Sequence, residues 1–229
     1  MKLAVVPMEL EDIGQVLEVD RESYSMPWPA SAYRREVLHN RNARYLVLRE
    51  VSNTVAAQPR DDGASRLRLP LPFFRWPSRS EQRHGEGRIL GYAGMWLMVD
   101  EAHITTIAVR GEWRGRGLGE LLLASLMESG AEVGARRVTL EVRVSNEAAQ
   151  ALYRKYGFAQ TGRRPRYYSD DNEDAYIMTT EDIQSAEYRE RFERLVQMLH
   201  DRLVKSREVL VAAPAFPELF ESEPAAEGE

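Results

Sequence analysis

The chain has 229 residues, a net charge of −5, an apolar share of 43% and no cysteine. That composition suits a globular protein of one substantial domain with appendages. It excludes disulfides, thiolate-ligated zinc and a cysteine nucleophile, and the acidic balance argues against a nucleic-acid binder.

Four histidines, His39, His84, His103 and His200, stand at no mutual ligand spacing, so no metal is expected. No apolar run approaches the roughly 20 residues that span a bilayer. The opening MKLAVVPMELED turns acidic too early for a secretory signal, which places the protein in the cytoplasm.

Residues 2–8 read as a short strand, and residues 10–22 carry Ile13, Val16 and Leu17 at helical spacing. SMPWPAS (25–31) is a proline-punctuated loop, a second short helix is expected over 30–39, and RYLVLREV (44–51) reads as a strand. Composition then shifts. Residues 52–87 hold Pro59, Pro70, Pro72 and Pro77, and 52–88 carry seven arginines against four acids. This stretch is expected to be a flexible insertion between two strands, although LRLPLPFFRWP (67–77) is apolar enough to dock on the core or on a partner.

RILGYAGMWLMV (88–99) and AHITTIAV (102–109) resume the strands, and a helix is expected from Leu118 to about Val133. RVTLEVRV (137–144) is a further strand. NEAAQALYRKYG (146–157) is a helix with Ser145 or Asn146 as its cap and Gly157 as its stop. DAYIMTT (174–180) closes the domain at about residue 182. Residues 183–207 are read as an amphipathic helix, with Tyr188, Phe192, Leu195, Val196, Leu199 and Leu203 on one stripe. It should pack on the domain or on a second copy of the chain. The acidic stretch 208–229 is expected to be a disordered tail.

The stretch RGEWRGRGLGELL (110–122) starts a helix with three glycines, Gly115, Gly117 and Gly119. Each glycine inside a helix costs roughly 1 kcal/mol relative to alanine. A helix N-terminus exposes unpaired amides and the positive end of the dipole, and glycines let that backbone approach an anion closely. Arg114 and Arg116 add charge beside it. The stretch is not a P-loop, because no lysine follows the glycines, and not a dinucleotide fingerprint, because position 122 is leucine. By itself Arg114-x-x-Gly117-x-Gly119 fits either a phosphate site or a tight strand-to-helix turn.

The second half makes the pattern specific. Arg-x-x-Gly-x-Gly after a strand, followed by Asn-x-x-Ala-x-x-Leu-Tyr-x-x-x-Gly-Phe from Asn146 to Phe158, resembles the GNAT acetyltransferase superfamily. SMPW (25–28), TIAV (106–109), LEVRVSN (140–146) and YYSDDNEDAYIM (167–178) are similar to the RimI-type protein N-terminal alanine acetyltransferases. The resemblance covers about 1–182 apart from the insertion. It implies an α/β fold: a mixed, mostly antiparallel twisted sheet with helices on both faces, split around the cofactor.

The resemblance also implies acetyl-CoA as donor. The backbone of Ile107, Ala108 and Val109 would hold the pantetheine and acetyl group like an added strand. The amides of Gly115, Arg116, Gly117, Leu118, Gly119 and Glu120 would cradle the pyrophosphate, with Arg114 beside them. Asn146 would orient the cofactor arm. The amide of Val109, beside a strand bulge typical of the family, would face the developing oxyanion.

Acetyl transfer needs a neutral amine. An α-amino group has a pKa of about 8 and a lysine about 10.4, so a modest carboxylate base suits an N-terminal substrate. On its strand Glu141 shares a face with Thr139 and Arg143, which alone fits a surface glutamate paired with Arg143. The resemblance makes Glu141 the base. Tyr153 alone fits a packed aromatic, and the resemblance makes it the acid.

Met26, Pro27 and Trp28 on one loop and Tyr167 and Tyr168 on another would wall a slot for an extended N-terminus, typically of a small-subunit ribosomal protein beginning with alanine. The other readings are a GNAT enzyme for lysine side chains or a small-molecule amine, and a non-enzymatic acetyl-CoA-binding module. A monomer or a homodimer is expected, with no membrane and no direct nucleic-acid partner.

Overall fold

The structure is a computed structural model that describes residues 2–51, 87–205 and 210–212. The expected insertion, with its apolar run at 67–77, falls outside the described residues except for Gly87. Eight strands form one sheet: β1 (Lys2–Pro7), β2 (Ala43–Val51), β3 (Ile89–Met98), β4 (Glu101–Val109), β5 (Arg137–Arg143), β6 (Phe158–Tyr168), β7 (Glu173–Thr180) and β8 (Leu210–Ala212). Their spatial order is β6-β7-β5-β4-β3-β2-β1-β8, and only β4–β5 and β1–β8 pair in parallel.

Helices α1 (Ile13–Ser23) and α2 (Ala30–His39) lie on one face. Their Ile13, Val16, Val19 and Tyr33 pack with Val47, Ile89 and Tyr92 from the sheet. Helices α3 (Leu118–Glu132), α4 (Glu147–Lys155) and α5 (Ala186–Lys205) cover the other face. There Leu121, Leu122 and Leu126 meet Leu46, Leu90 and Met95 in the larger core. The alternation of each strand sends one residue set to each layer, so both faces are buried; β3 is apolar throughout and β2 is apolar from Tyr45 to Leu48. The mixed sheet with helices on both faces is as expected.

The stripe on α5 packs on the domain: Tyr188, Phe192, Val196, Leu199 and Leu203 are buried in the larger core. Two differences from the sequence reading stand out. The polar stretch Phe158–Tyr168 is a strand, although nearly all of its residues are exposed. It is an edge strand with no second layer to bury it, so it lacks the apolar alternation that marks a strand. The segment 208–229 was expected to be unstructured, yet Leu210–Ala212 pairs in parallel with Lys2–Ala4. A short β-prone run finds the open edge of β1, whose backbone groups would otherwise lack partners. Among the described residues no helix is long and apolar enough to cross a membrane.

Candidate active site

The sheet opens between its two central parallel strands. β4 and β5 pair only from Glu101↔Arg137 to Ile104↔Leu140, while β4 runs on to Val109 and β5 to Arg143. Past that point, among the described residues, β4 has β3 on one side and no strand on the other. A bulge at Thr105 accompanies the opening, because Gly94 pairs with Thr106 and Met95 with Ile104. The bulge therefore lies four residues before Val109, not beside it.

The exposed edge has a defined polarity. The Ile107 carbonyl accepts from the Tyr24 hydroxyl at 3.0 Å, and the Val109 carbonyl accepts from Arg114 Nε at 3.0 Å. A strand residue points its N–H and C=O to the same side, so the amides of Ile107 and Val109 also face the opening. Ala108 between them turns its polar groups to Tyr92 on β3, and its side chain is buried in the smaller core. Ala108 is thus a spacer rather than a polar contact.

The glycine turn follows. Gly117 is the N-cap of α3 at φ +84°, so the first amides of the helix have no capping side chain. A Cβ on Gly117 would lie 3.1 Å from Arg202 Nη2, whereas one on Gly115, at φ +75°, would meet nothing within 4 Å. Left-handed backbone, bare amides and an open side fit a phosphate group. Arg114 also donates to Ser23 Oγ at 3.1 Å, and the Arg116 guanidinium lies 4.7 Å from the Trp113 ring. The Glu120 side chain serves a different purpose. It is buried and holds Lys155 at 2.6 Å, Arg202 at 2.6 Å and the Tyr156 hydroxyl at 2.9 Å. Burial alone would raise its pKa, but these donors hold it below the usual carboxylate value.

Asn146 caps α4, its Oδ1 accepting from the Ala149 amide at 3.1 Å. That bond orients the side chain. Gln150 on the next turn donates to the Arg143 and Val144 carbonyls at 3.0 and 2.9 Å, which fixes the end of β5.

Glu141 is the first β5 residue beyond the last β4–β5 pair. Its side chain is only 7% exposed. One oxygen lies 2.7 Å from His103 Nε2 and the other 2.9 Å from Arg164 Nε. The expected partner Arg143 instead holds Asp170, Asp171 and Glu173 at 2.7 to 3.0 Å and lies 3.9 Å from the Tyr168 ring. Burial opposes ionisation of Glu141, yet the bond and charge of His103, with Arg164, keep its pKa below the usual value. The site therefore contains a charged, nearly buried carboxylate.

Tyr153 on α4 packs its ring 5.7 Å from Phe158. Burial raises its phenol pKa, helped by the nearby phenols of Tyr24 and Tyr168. The two expected substrate loops meet: Ser169 Oγ donates to Met26 Sδ at 3.2 Å, and Ser25 Oγ donates to Asp170. Met26 is exposed, and Tyr167 and Tyr168 form an edge-to-face pair at 5.2 Å. Pro27 is exposed as well. The Trp28 ring packs 5.7 Å from Tyr33 and 6.5 Å from Trp96 against the smaller core and stays partly exposed.

Three residues the sequence reading passed over belong to the site: Tyr24, His103 and Arg164. Tyr24 directly precedes the SMPW loop, a position that could have drawn notice. His103 and Arg164 reach Glu141 only through strand pairing, which no local spacing displays.

Residues 59–158 match the Acetyltransferase (GNAT) family. The chain is 38% identical over 177 residues to a protein of Bacillus subtilis (strain 168) that carries the provisional name ribosomal protein bS18-alanine N-acetyltransferase. That match covers 77% of this chain and 94% of the relative. The chain is also 39% identical over 94 residues to the Escherichia coli (strain K12) ribosomal protein bS18-alanine N-acetyltransferase, covering 40% of this chain and 64% of the relative. The crystal structure of the Escherichia coli ribosomal-protein-S18-alanine N-acetyltransferase shares the fold, with a TM-score of 0.59 at 23% identity over 81% of this chain and 97% of that one.

The chain belongs to the GNAT acetyltransferase family. Within it, the chain is an acetyl-CoA-dependent N-acetyltransferase of the RimI type.

Proposed function

We propose that this enzyme acetylates the free α-amino group of a protein chain that begins with alanine, with a bS18-like ribosomal protein as its natural acceptor. The observation that carries the reading is the placement of Glu141: ionised, 7% exposed, and first past the point where β4 and β5 part. The names of the Bacillus subtilis and Escherichia coli relatives support the choice of acceptor.

Acetyl-CoA supplies an activated thioester when bound. The Ile107 and Val109 edge would hold its pantetheine arm, the amides from Gly115 to Glu120 with Arg114 and Arg116 would take its pyrophosphate, and Asn146 would steer the arm between them. Met26, Pro27, Tyr167 and Tyr168 would flank the incoming N-terminus.

A carboxylate with a depressed pKa is a weak base toward an ammonium group of pKa about 8. Glu141 therefore acts best on an amine with an appreciable neutral fraction near pH 7, roughly a tenth for an α-amine, and takes its proton as the new C–N bond makes the nitrogen acidic. His103 Nε2, at 2.7 Å from one carboxylate oxygen, holds that carboxylate in place. The same weakness disfavours lysine side chains, of which fewer than about one in a thousand is neutral at pH 7. Tyr153 keeps its proton because burial raises its pKa, and it can give that proton to the departing sulfur.

Two peptides test the reading by mass spectrometry with acetyl-CoA. One begins with free alanine and contains an internal lysine, and the other has the same sequence with a blocked N-terminus. Acetylation confined to the free α-amine supports the proposal. Modification of the blocked peptide would transfer the enzyme to the lysine class. Turnover on neither, with preference for a polyamine, would make it a small-molecule enzyme.

A further inference from the structure

α5 lies outside the stretch 59–158 that matches the family, yet its last turns reach the glycine turn. A Cβ on Gly117 would be 3.1 Å from Arg202 Nη2, 3.4 Å from Leu203 and 3.5 Å from Leu199. Leu199 and Leu203 are buried in the larger core, which fixes the height of the helix against α3. Arg202, between them, projects toward solvent and is 53% exposed.

The charge at this point is not self-cancelling. Glu120 carries one negative charge in the first turn of α3, where alone it would repel a phosphate. It is met by two cations, Lys155 and Arg202, each at 2.6 Å. The cluster therefore keeps one net positive charge beside the N-terminus of α3. Arg202 uses Nη2 on Glu120, and a guanidinium has five N–H donors in a planar fork suited to a second oxyanion. Lys155 is the less exposed of the two cations, at 33%.

We propose that Arg202 is a phosphate-binding residue, supplied by the C-terminal helix to the pyrophosphate of the cofactor. The inference rests on the reading of residues 115–120 as the pyrophosphate cradle. Glu120 holds the guanidinium beside Gly117, and its remaining donors would add to the charge that Arg114 and Arg116 bring to the turn. The helix thereby makes cofactor affinity depend on a part of the chain beyond the matched core.

The test is direct binding by titration calorimetry of the full chain with CoA, 3′-dephospho-CoA and pantetheine. In the unsubstituted protein CoA should bind at least a hundredfold tighter than pantetheine. If it does not, the cradle reading itself fails. Given that preference, Arg202→Gln should weaken CoA and 3′-dephospho-CoA about tenfold each and leave pantetheine unchanged. Unchanged CoA binding in Arg202→Gln would overturn the proposal and leave the cradle intact. Weakening of CoA but not of 3′-dephospho-CoA would also overturn it, since the residue would then read the 3′-phosphate. Equal weakening of all three would overturn it as well, since the loss would then owe nothing to the phosphates. Should Arg202→Gln not fold, Arg202→Lys carries the test: it keeps the charge but loses the fork, and a two- to threefold loss confined to the phosphorylated ligands is expected.

Discussion

Replacing Glu141 with glutamine isolates its charge, because the two side chains have nearly the same shape. The chemical expectation is a fall in kcat on an alanine peptide of about 10² to 10⁴, the usual contribution of a positioned base. The structural expectation is small. The variant loses charge-assisted bonds to His103 at 2.7 Å and Arg164 at 2.9 Å, each of which is worth roughly 1.5–3 kcal/mol in isolation. It also removes a charge from a side chain that is 7% exposed, which returns desolvation energy. The Arg164 partner is half exposed, so its share is screened. The net change should stay within about 1 kcal/mol, or roughly 2–4 °C in Tm.

The pH dependence has a definite sign. Glu141 has a folded pKa below its unfolded value, so its contribution to stability is present above about pH 4.3 and is lost as pH falls through the folded pKa. The Tm difference between Glu141→Gln and the unsubstituted enzyme should therefore close in acid. The assay is steady-state peptide acetylation with mass-spectrometric product counting, beside a thermal melt at pH 7 and pH 4. A kcat within threefold of the unsubstituted enzyme would refute the assignment of the base.

Tyr153→Phe keeps the packing on Phe158, so it should lower kcat about 10- to 100-fold with little change in Tm or in KM for the peptide. Because burial raises the Tyr153 pKa, activity of the unsubstituted enzyme should show no alkaline loss from this group up to about pH 10. Gly117→Ala puts a side chain at φ +84° and 3.1 Å from Arg202 Nη2, which should cost about 1–2 kcal/mol and weaken CoA binding measured by titration calorimetry. Glu120→Ala leaves Lys155 and Arg202 without their shared carboxylate, and unfolding should become easier by about 3 kcal/mol, read as a drop of roughly 6–12 °C in a thermal melt. The Glu120 contribution should likewise be present above about pH 4.3 and be lost as pH falls through its lowered folded pKa.

Most of the fold was legible because its signals are local. The apolar runs of β2 and β3, the stripe on α5 and the Asn146 cap each announce themselves within a dozen residues. The glycine turn was legible because three glycines at a helix start contradict propensity, and such a contradiction marks a site under another demand. β6 was missed because an edge strand with exposed residues on both sides carries no apolar alternation. The partners of Glu141 were missed for another reason. His103 and Arg164 lie 38 and 23 positions away in the chain, and reach it only because β4 pairs with β5 in one register and β6 folds back through β7. The packing of Trp28 on Tyr33 and Trp96 was not legible, because an aromatic in a loop looks the same whether it faces a ligand or a core.

The two ends of the sheet are finished in opposite ways. At β1, the three-residue strand β8 lies alongside in parallel and takes up backbone groups that could template a foreign strand. At β6 no strand follows among the described residues, and the edge is blunted instead: Pro165 lacks an amide, Arg163, Arg164 and Arg166 bring charge, Arg166 turns to φ +51°, and the register slips twice against β7. Such irregular, charged edges resist strand-to-strand aggregation without a covering element. Colloidal stability should therefore respond unequally to damage. Removing residues 210–212 bares a regular edge and invites self-association, whereas shortening arginine side chains along β6 leaves a kinked, proline-interrupted strand that still pairs poorly.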